Sequence, residues 1–441
     1  MELKGPSASL ALSIAERLRD AGHQALLAGG CVRDAIMKKV PEDFDIATTA
    51  RPEQVEPLFE KTIPVGKQFG VMLVVFEGKP FEVATFRREG GYIDGRHPSR
   101  VEFTDAKEDA LRRDFTVNGL FYDPFGKKVL DFVGGQEDIK KKIIRAIGDP
   151  RKRFDEDKLR LMRAVRFASS LGFEIEPKTW QAVKALAPEI HQVSAERVRD
   201  EIVKMLTRPG AARGFTLLSD SGLMKEILPE VEAMKGVEQP KDYHPEGDVY
   251  VHTRLLLEKL ENPSAVLALA ALFHDVGKPP TFMIREGKPT FYEHAYVGAE
   301  MTRKIMKRLR FSNDEIEDVA ECVANHMKFA DVQKMRSGKL KLFISRATFD
   351  IEMELHKIDC QSCHGMLDNY YFLKEKLKQY AQEELKPKPF LNGHDLISTG
   401  MKPGPHMKTL LEEAYVLQLE GDLKSREEAL GWVRSKKAAG N

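Results

Sequence analysis

The chain has little cysteine, four in 441 residues, which argues against the disulfide framework of a small secreted protein. It has no apolar run near the length of a membrane span. It also lacks an excess of charge: 69 Lys and Arg against 68 Asp and Glu leave a formal +1. That balance excludes a global attraction to polyanions, so any nucleic-acid contact has to come from local clustering. Met1-Glu2-Leu3-Lys4-Gly5-Pro6 carries acid and proline where an export signal needs a basic and then an apolar region, and the expectation is a cytoplasmic protein without membrane contact. Internal repeats and low-complexity tracts are missing as well. Cys360-x-x-Cys363-His364 matches the attachment pattern for a c-type haem, but that chemistry needs export, and the segment reads as a pair of partly buried helix cysteines.

What is present is an ordinary balance, 42% hydrophobic and 31% charged, in a chain long enough for two to four domains. Its most informative stretch begins at Leu26-Leu27-Ala28, which reads as a short buried strand. Gly29-Gly30-Cys31-Val32-Arg33-Asp34 follows as a tight turn opening a helix. Free N–H groups at such a turn cradle phosphate oxygens. Asp43 and Asp45 come next in Glu42-Asp43-Phe44-Asp45-Ile46-Ala47. On a strand, residues two apart face the same side, so these carboxylates project together. Beside a phosphate cradle they suit one or two Mg²⁺ ions, able to activate a hydroxyl and neutralise a leaving pyrophosphate. A solvated acidic turn is the plain alternative, since a bare Asp-x-Asp is weak by itself.

Val71–Phe76 and Phe81–Phe86 are β-rich runs joined by the turn cluster Glu77-Gly78-Lys79-Pro80, so they read as a hairpin with Glu82 on its second strand. After about residue 139 strand signals give way to helical spacing, as in Leu161, Val165, Ala168 and Leu171. Basic residues are dense from Lys140 to Arg166. Beside a nucleotide site, this run favours phosphate contacts over a merely solvated face.

Arg112-Arg113-Asp114-Phe115-Thr116-Val117-Asn118-Gly119 and Gly148-Asp149-Pro150 through Asp157-Lys158-Leu159-Arg160-Leu161-Met162-Arg163-Ala164-Val165-Arg166 complete a set. With Gly-Gly-x-Val-Arg-Asp and Asp-x-Asp, in this order, the chain resembles class II tRNA nucleotidyltransferases and bacterial poly(A) polymerases, members of the DNA polymerase beta superfamily. The resemblance implies an α+β multi-domain protein: a nucleotidyltransferase head with a mixed sheet and helices, followed by all-α neck, body and HD domains. It also implies template-independent addition of C, C and A to the 3′ end of tRNA, with ATP, CTP and tRNA as partners.

In that reading Asp43 and Asp45 carry Mg²⁺, and Glu82 falls where the family has an active-site acid. Gly29, Gly30 and Arg33 hold the triphosphate, Arg113 and Asp114 hold phosphate and ribose, and Asn118 fixes the sugar. ATP and CTP share an exocyclic amine beside an accepting ring nitrogen, an edge that one carboxylate and one guanidinium match. Asp157 and Arg160, three apart on an expected helix, share a face, and the resemblance assigns them that role; uracil and guanine would leave both unpaired. Arg163 and Arg166 continue the face and are expected to bind nucleotide or the body of the site. Arg87 to Ser99 reads as a charged, glycine-rich loop, which in the family permits the switch from C to A addition.

His252, His274-Asp275, His294, His326 and Asp359 resemble the ligand set of HD phosphohydrolases and suit a further divalent metal that activates water. The expected domains are 1–138 (head), 139–235 (neck and body), 245–382 (HD) and 387–441. The last, opening at Leu391-Asn392-Gly393-His394, is expected to pack or contact tRNA. Three other readings stand beside CCA addition: an A-adding enzyme, a poly(A) polymerase, and an HD phosphohydrolase whose head only binds RNA. Oligomeric state is open at this level.

Overall fold

The structure, a computed structural model, describes residues 3–5, 7–92, 98–240, 244–380 and 387–439. The chain divides into two compact units, Met1–Glu232 and Ala233–Asn441.

The first unit is built on a mixed seven-stranded sheet. Its strands are β1 (Ala25–Ala28), β2 (Asp45–Thr48), β3 (Thr62–Gly66), β4 (Val71–Phe76), β5 (Lys79–Thr85), β8 (Leu120–Asp123) and β9 (Lys128–Asp131), ordered β3-β4-β5-β2-β1-β8-β9. The expected hairpin is β4–β5, antiparallel from Val71 opposite Ala84 to Phe76 opposite Lys79. β1 is buried along its whole length because both its faces are covered. Leu26 and Ala28 pack with Ala47, Phe86, Phe121 and two alanines of the helix Ala106–Leu111. The helix Ala8–Asp20, which buries Ala11, Ile14, Ala15 and Leu18, also packs on β1.

β2 and β5 are the parallel pair, with Ile46 opposite Val83 and Ala47 opposite Ala84. One residue earlier, that register sets Asp45 level with Glu82. Glu82 therefore stands on a central strand rather than an edge. β2 starts at Asp45, so Asp43 precedes the strand, and the two aspartates do not owe their proximity to one pleat.

The segment read as a loop, Arg87 to Ser99, is paired over its described parts: β6 (Arg87–Tyr92) and β7 (Pro98–Phe103) form an antiparallel ribbon, Arg87 opposite Phe103 and Tyr92 opposite Pro98. The centre of the expected loop, 93–97, lies outside the described residues. Polar residues and glycines hid a ladder whose bonds are all backbone. Strands also recur beyond residue 139, as the two-residue pair β10 (Ile143–Ile144) and β11 (Glu174–Ile175) and the hairpin β12 (Met283–Arg285) and β13 (Lys288–Thr290). Segments this short carry no readable alternation.

Helices complete the first unit: Pro150–Glu156, Leu159–Leu171, Pro177–Leu186, Ala195–Leu206 and Ala211–Asp220. The expected continuous helix through Asp157 and Arg160 is broken. Asp157 has extended backbone (φ −152°, ψ 105°) between two helices, and its carboxylate accepts from the Leu159 N–H at 3.0 Å, a local bond that competes with helix.

The second unit is mainly helical. Phe329, Leu340, Phe343, Phe349 and Leu373 form one core. Leu391, Leu396, Met407, Leu423 and Val433 form another, which joins the three C-terminal helices Gly393–Ser398, Pro405–Glu420 and Arg426–Ala439. Asn392 caps the first of these, accepting from the His394 and Asp395 N–H groups while Asp395 bonds back to the Asn392 N–H at 2.8 Å. This capping box gives Leu-Asn-Gly-His a structural cause. The connector residues 241–243 and the linker residues 381–386 lie outside the described residues. Among the described residues no helix is long and apolar enough to cross a membrane.

Gly210, at φ +90°, brings the body against the helix Leu159–Leu171: a Cβ there would lie 2.3 Å from the Ser169 carbonyl oxygen. Gly172, at φ +69°, has nothing within 4 Å of its Cβ position. Gly172→Ala should cost about 1 kcal/mol, the ordinary penalty of a left-handed alanine. Gly210→Ala should lower the urea midpoint clearly further; equal midpoints would show that the close approach to Ser169 is not a constraint.

Candidate active site and a second ligand cluster

A cavity of about 630 Å³ opens over the sheet, a size suited to a small-molecule ligand. It is lined by all the head and neck residues singled out in the sequence: Gly29, Gly30, Arg33, Asp43, Asp45, Glu82, Arg113, Asp114, Asn118, Asp157, Arg160, Arg163 and Arg166. Glu42, Arg87, Arg112, Lys204 and Arg208 line it too.

Gly29 follows β1 at φ +71°, and a Cβ there would meet Arg113 Nη1 at 2.9 Å. The backbone therefore turns tightly under the Arg113 guanidinium and opens the helix Gly30–Ile36, whose first N–H groups are the expected cradle.

Arg33 and Arg163 are tied into one network. Arg33 Nη1 donates to Asn118 Oδ1 at 2.7 Å, and Asn118 Nδ2 donates to Asp114 Oδ1 at 3.1 Å. Asp114 Oδ2 accepts from Arg163 Nε at 2.8 Å and Nη2 at 2.5 Å. Burial alone would push the Asp114 carboxyl up; Arg163 and the Asn118 amide outweigh it and hold it down at about 2. Arg166 donates from Nε to Glu201 Oε2 at 2.6 Å.

The base-reading candidates are each held by a partner absent from the sequence reading. Arg197 grips Asp157 with two bonds of 3.1 and 2.7 Å. Arg160 Nη1 donates to Glu156 Oε2 at 2.7 Å and to the Arg153 carbonyl at 2.8 Å. Asp109, 1% exposed, is a further missed anchor: it receives Arg112 Nη2 at 2.7 Å and Arg113 Nη2 at 3.1 Å.

Two of these partners left a signal in the sequence. Glu201 interrupts the apolar stripe of Val198, Ile202 and Met205, and Asp109 that of Ala106 and Ala110, all buried. A charge on an apolar face asks for a buried counter-charge. Arg197 left none, because an arginine one turn into an amphipathic helix is ordinary.

Asp45 is the electrostatic centre of the floor. Although its surface reaches solvent in the open cavity, loss of hydration within the site, then Glu82, and finally Asp43 push its carboxyl up to about 6, against a lowering by Arg113. Crowded carboxylates of this kind fit a divalent cation, the partner that would relieve them.

The second unit collects the expected histidines. His252 lies on the helix Val249–Glu258, and His274 caps Ala265–Phe273 with Asp275 beside it. His294 opens the helix His294–Arg308, His326 follows Asn313–Asn325, and Asp359 lies on Phe349–Ser362. His252 Nε2 is 2.9 Å from Asp359 Oδ1, His274 Nε2 is 3.2 Å from Asp275 Oδ2, and His294 and His326 approach Nε2 to Nε2 at 3.2 Å. His274, His294 and His326 each set Nδ1 on a backbone carbonyl at 2.6–2.9 Å, which turns Nε2 toward the cluster, where it could serve a metal.

His244 and Glu246 extend the set beyond the expected six, with Glu246 Oε1 2.8 Å from His252 Nδ1. Those short contacts of His252 lack hydrogen-bond alignment, and His274 Nε2 is likewise buried without an aligned partner. Among the described residues, three groups that could hold a metal have donor atoms within 4.8 Å of one another: His244–Glu246–His252, His252–His274–Asp275 and Asp275–His294–His326. Buried orphaned nitrogens beside carboxylates fit a divalent metal. Cys360 and Cys363 are free thiols at the end of the Phe349–Ser362 helix, pushed up to about 12 chiefly by burial.

The chain matches three family models: "Poly A polymerase head domain" over residues 25–145, "Probable RNA and SrmB- binding site of polymerase A" over 172–235, and "HD domain" over 244–351. It is 45% identical over 429 residues to the CCA-adding enzyme of Geobacillus stearothermophilus, covering 96% of each chain. It is 33% identical over 425 residues to that of Lactobacillus johnsonii, covering 95% of each. Among solved structures, the Bacillus stearothermophilus CCA-adding enzyme in complex with CTP superposes with a TM-score of 0.77 at 27% identity over 99% of both chains. The Thermotoga maritima CCA-adding enzyme complexed with tRNA_CCA shares the fold, with a TM-score of 0.57 at 18% identity, over 99% of this chain and 97% of that one.

Because the folded-state value of Asp45 lies above the ordinary 3.8, its protonated form favours the fold. That contribution is full below about pH 4 and lost as pH rises through about 6. In EDTA, Asp45→Asn should therefore melt above wild type at pH 8, with the gap closing toward pH 4. A gap equal at both pH values would mean that neither burial nor the neighbouring carboxylates raise Asp45.

Proposed function

We propose, on the premise that the chain belongs to the family of CCA-adding enzymes, that its head cavity adds C, C and A to tRNA 3′ ends from CTP and ATP without a template. The observation that carries this is one cavity in which a cation-framed glycine turn, a carboxylate floor and the Asp157–Arg160 pair meet.

The triphosphate enters over Gly29 and Gly30, where helix N–H groups and the Arg33 and Arg113 guanidinium groups meet its charge. Asn118 and Asp114, already ordered by Arg33 and Arg163, receive the ribose. The base is read by Asp157, accepting from the exocyclic amine, and by Arg160, donating to the ring nitrogen. Arg197 and Glu156 hold these two groups before the base arrives, so little ordering cost remains. Uracil or guanine would set a carbonyl against Asp157 and a ring N–H against Arg160, losing both hydrogen bonds to the base.

Asp43 and Asp45, with Glu82 beside them, would hold divalent cation, for which we propose Mg²⁺. Bound there, such ions lower the pKa of the attacking 3′-hydroxyl and balance the pyrophosphate charge. No covalent intermediate with the protein is required. A tRNA-processing role puts the protein in the cytoplasm.

The second unit supports a separate reading. Its His252, His274, Asp275, His294, His326 and Asp359 would hold a divalent metal, and the Nε2 atoms turned inward favour a phosphohydrolase distinct from the transferase site.

Transcripts ending at the discriminator base, at C, or at CC, incubated with Mg²⁺, CTP and ATP and then sequenced, should all finish in CCA. A single A on the CC transcript alone would identify an A-adding enzyme, and long A tails a poly(A) polymerase. Asp43→Ala should abolish addition with an unchanged melting curve; retained addition would remove its metal role. His274→Ala should spare addition and remove metal-dependent phosphoester hydrolysis, whereas equal loss of both would refute the division into two sites.

A further inference from the structure

The cavity cations differ in how firmly they are committed. Arg33, Arg113, Arg163 and Arg166 are bound to Asn118, Asp109, Asp114 and Glu201, groups that are all buried. Lys204 and Arg208 stand apart. Lys204 is an exposed residue of the helix Ala195–Leu206, and Arg208 lies four residues on, just past its end. Arg208 reaches across to the head, where its Nη2 meets Glu42 Oε2 at 2.9 Å. Side-chain exposures are 41% for Arg208 and 76% for Glu42.

An ion pair that open to water contributes little to stability and exchanges easily for another anion. Glu42 is also the chain neighbour of Asp43. An anion replacing Glu42 on Arg208 would therefore sit beside the carboxylates where the attacking hydroxyl must be placed. The nucleotide's own phosphates are accounted for by the cradle, so the remaining anion of the reaction is the RNA strand itself.

We infer that Lys204 and Arg208 hold the phosphodiester backbone of the RNA 3′ end, and that Glu42 occupies Arg208 until that strand displaces it. The inference rests on the reading of the chain as a tRNA-extending enzyme and assigns two phosphate contacts and one competitor within that reaction. It makes the two partners of one ion pair act in opposite directions, which a structural salt bridge does not.

The test is single-nucleotide addition to a CC-ending tRNA transcript with the full chain, varying tRNA, nucleotide and salt separately. Arg208→Gln should raise KM for tRNA roughly tenfold, the worth of a hydrogen bond to a charged group, and Lys204→Gln should act in the same direction. For each variant, the dependence of log KM on log salt should flatten by about 0.7–0.9 per lost phosphate contact. The KM for ATP should stay near wild type. Glu42→Gln, which removes the competing carboxylate, should lower KM for tRNA. If Glu42→Gln and Arg208→Gln both raise it, the pair is structural and the inference fails; a rise in KM for ATP instead assigns these cations to the triphosphate and also overturns it. A wild type that leaves tRNA unextended would fail the underlying reading, a result distinct from wild-type extension with unaltered variants, which fails the inference alone.

Discussion

The Asp114 carboxylate is the point at which the head and the helical neck become one site. It lies just past the Arg-Arg pair, is buried, and takes two hydrogen bonds from Arg163, contributed by a helix some fifty positions later in the chain. Its other oxygen takes the Asn118 amide, which in turn accepts from Arg33 on the first helix after the sheet. The Asp114 carboxylate is buried while Arg163 is about a third exposed, so the pair adds little net stability, but losing Arg163 would strand a buried carboxylate. The pair's effect is on geometry: the glycine turn with Arg33 and the helix carrying Arg160 and Arg163 are held in one relation before any ligand enters.

The carboxylate floor follows a different logic. Asp45 and Glu82 are aligned by the parallel register of two central strands, and Arg113 only partly offsets the push of burial and of the neighbouring carboxylates on Asp45. The fold keeps them crowded rather than paired, a local strain consistent with a site whose counter-charge arrives from solution. The histidine cluster of the second unit is ordered in a similar way, since backbone carbonyls three residues earlier in the chain hold Nδ1 of three imidazoles.

Much of this was legible in the residues. Leu26-Leu27-Ala28, the glycine turn, the β4–β5 hairpin and the gathering of the six HD-type residues stand out because each depends on neighbours in sequence or on an unusual residue type. Other features did not. The β6–β7 ribbon was hidden because its ladder is backbone and its side chains are polar. The break at Asp157 was hidden because one side-chain bond to the Leu159 N–H outweighed the periodicity around it.

The residues alone carry the chemistry on offer: two aspartates and a glutamate that would suit a cation, arginines that would suit phosphate, and an acid–guanidinium pair that would suit a base edge. Composition and short motifs suffice for that, because the chemistry resides in side-chain type and in spacings of a few residues. Tertiary structure alone decided how those groups are held and which are free to exchange. Arg197 on Asp157, Arg163 on Asp114 and Glu42 across from Arg208 bring together elements whose order along the chain carries no sign of their approach, because packing of the sheet and neck, rather than local preference, sets those distances.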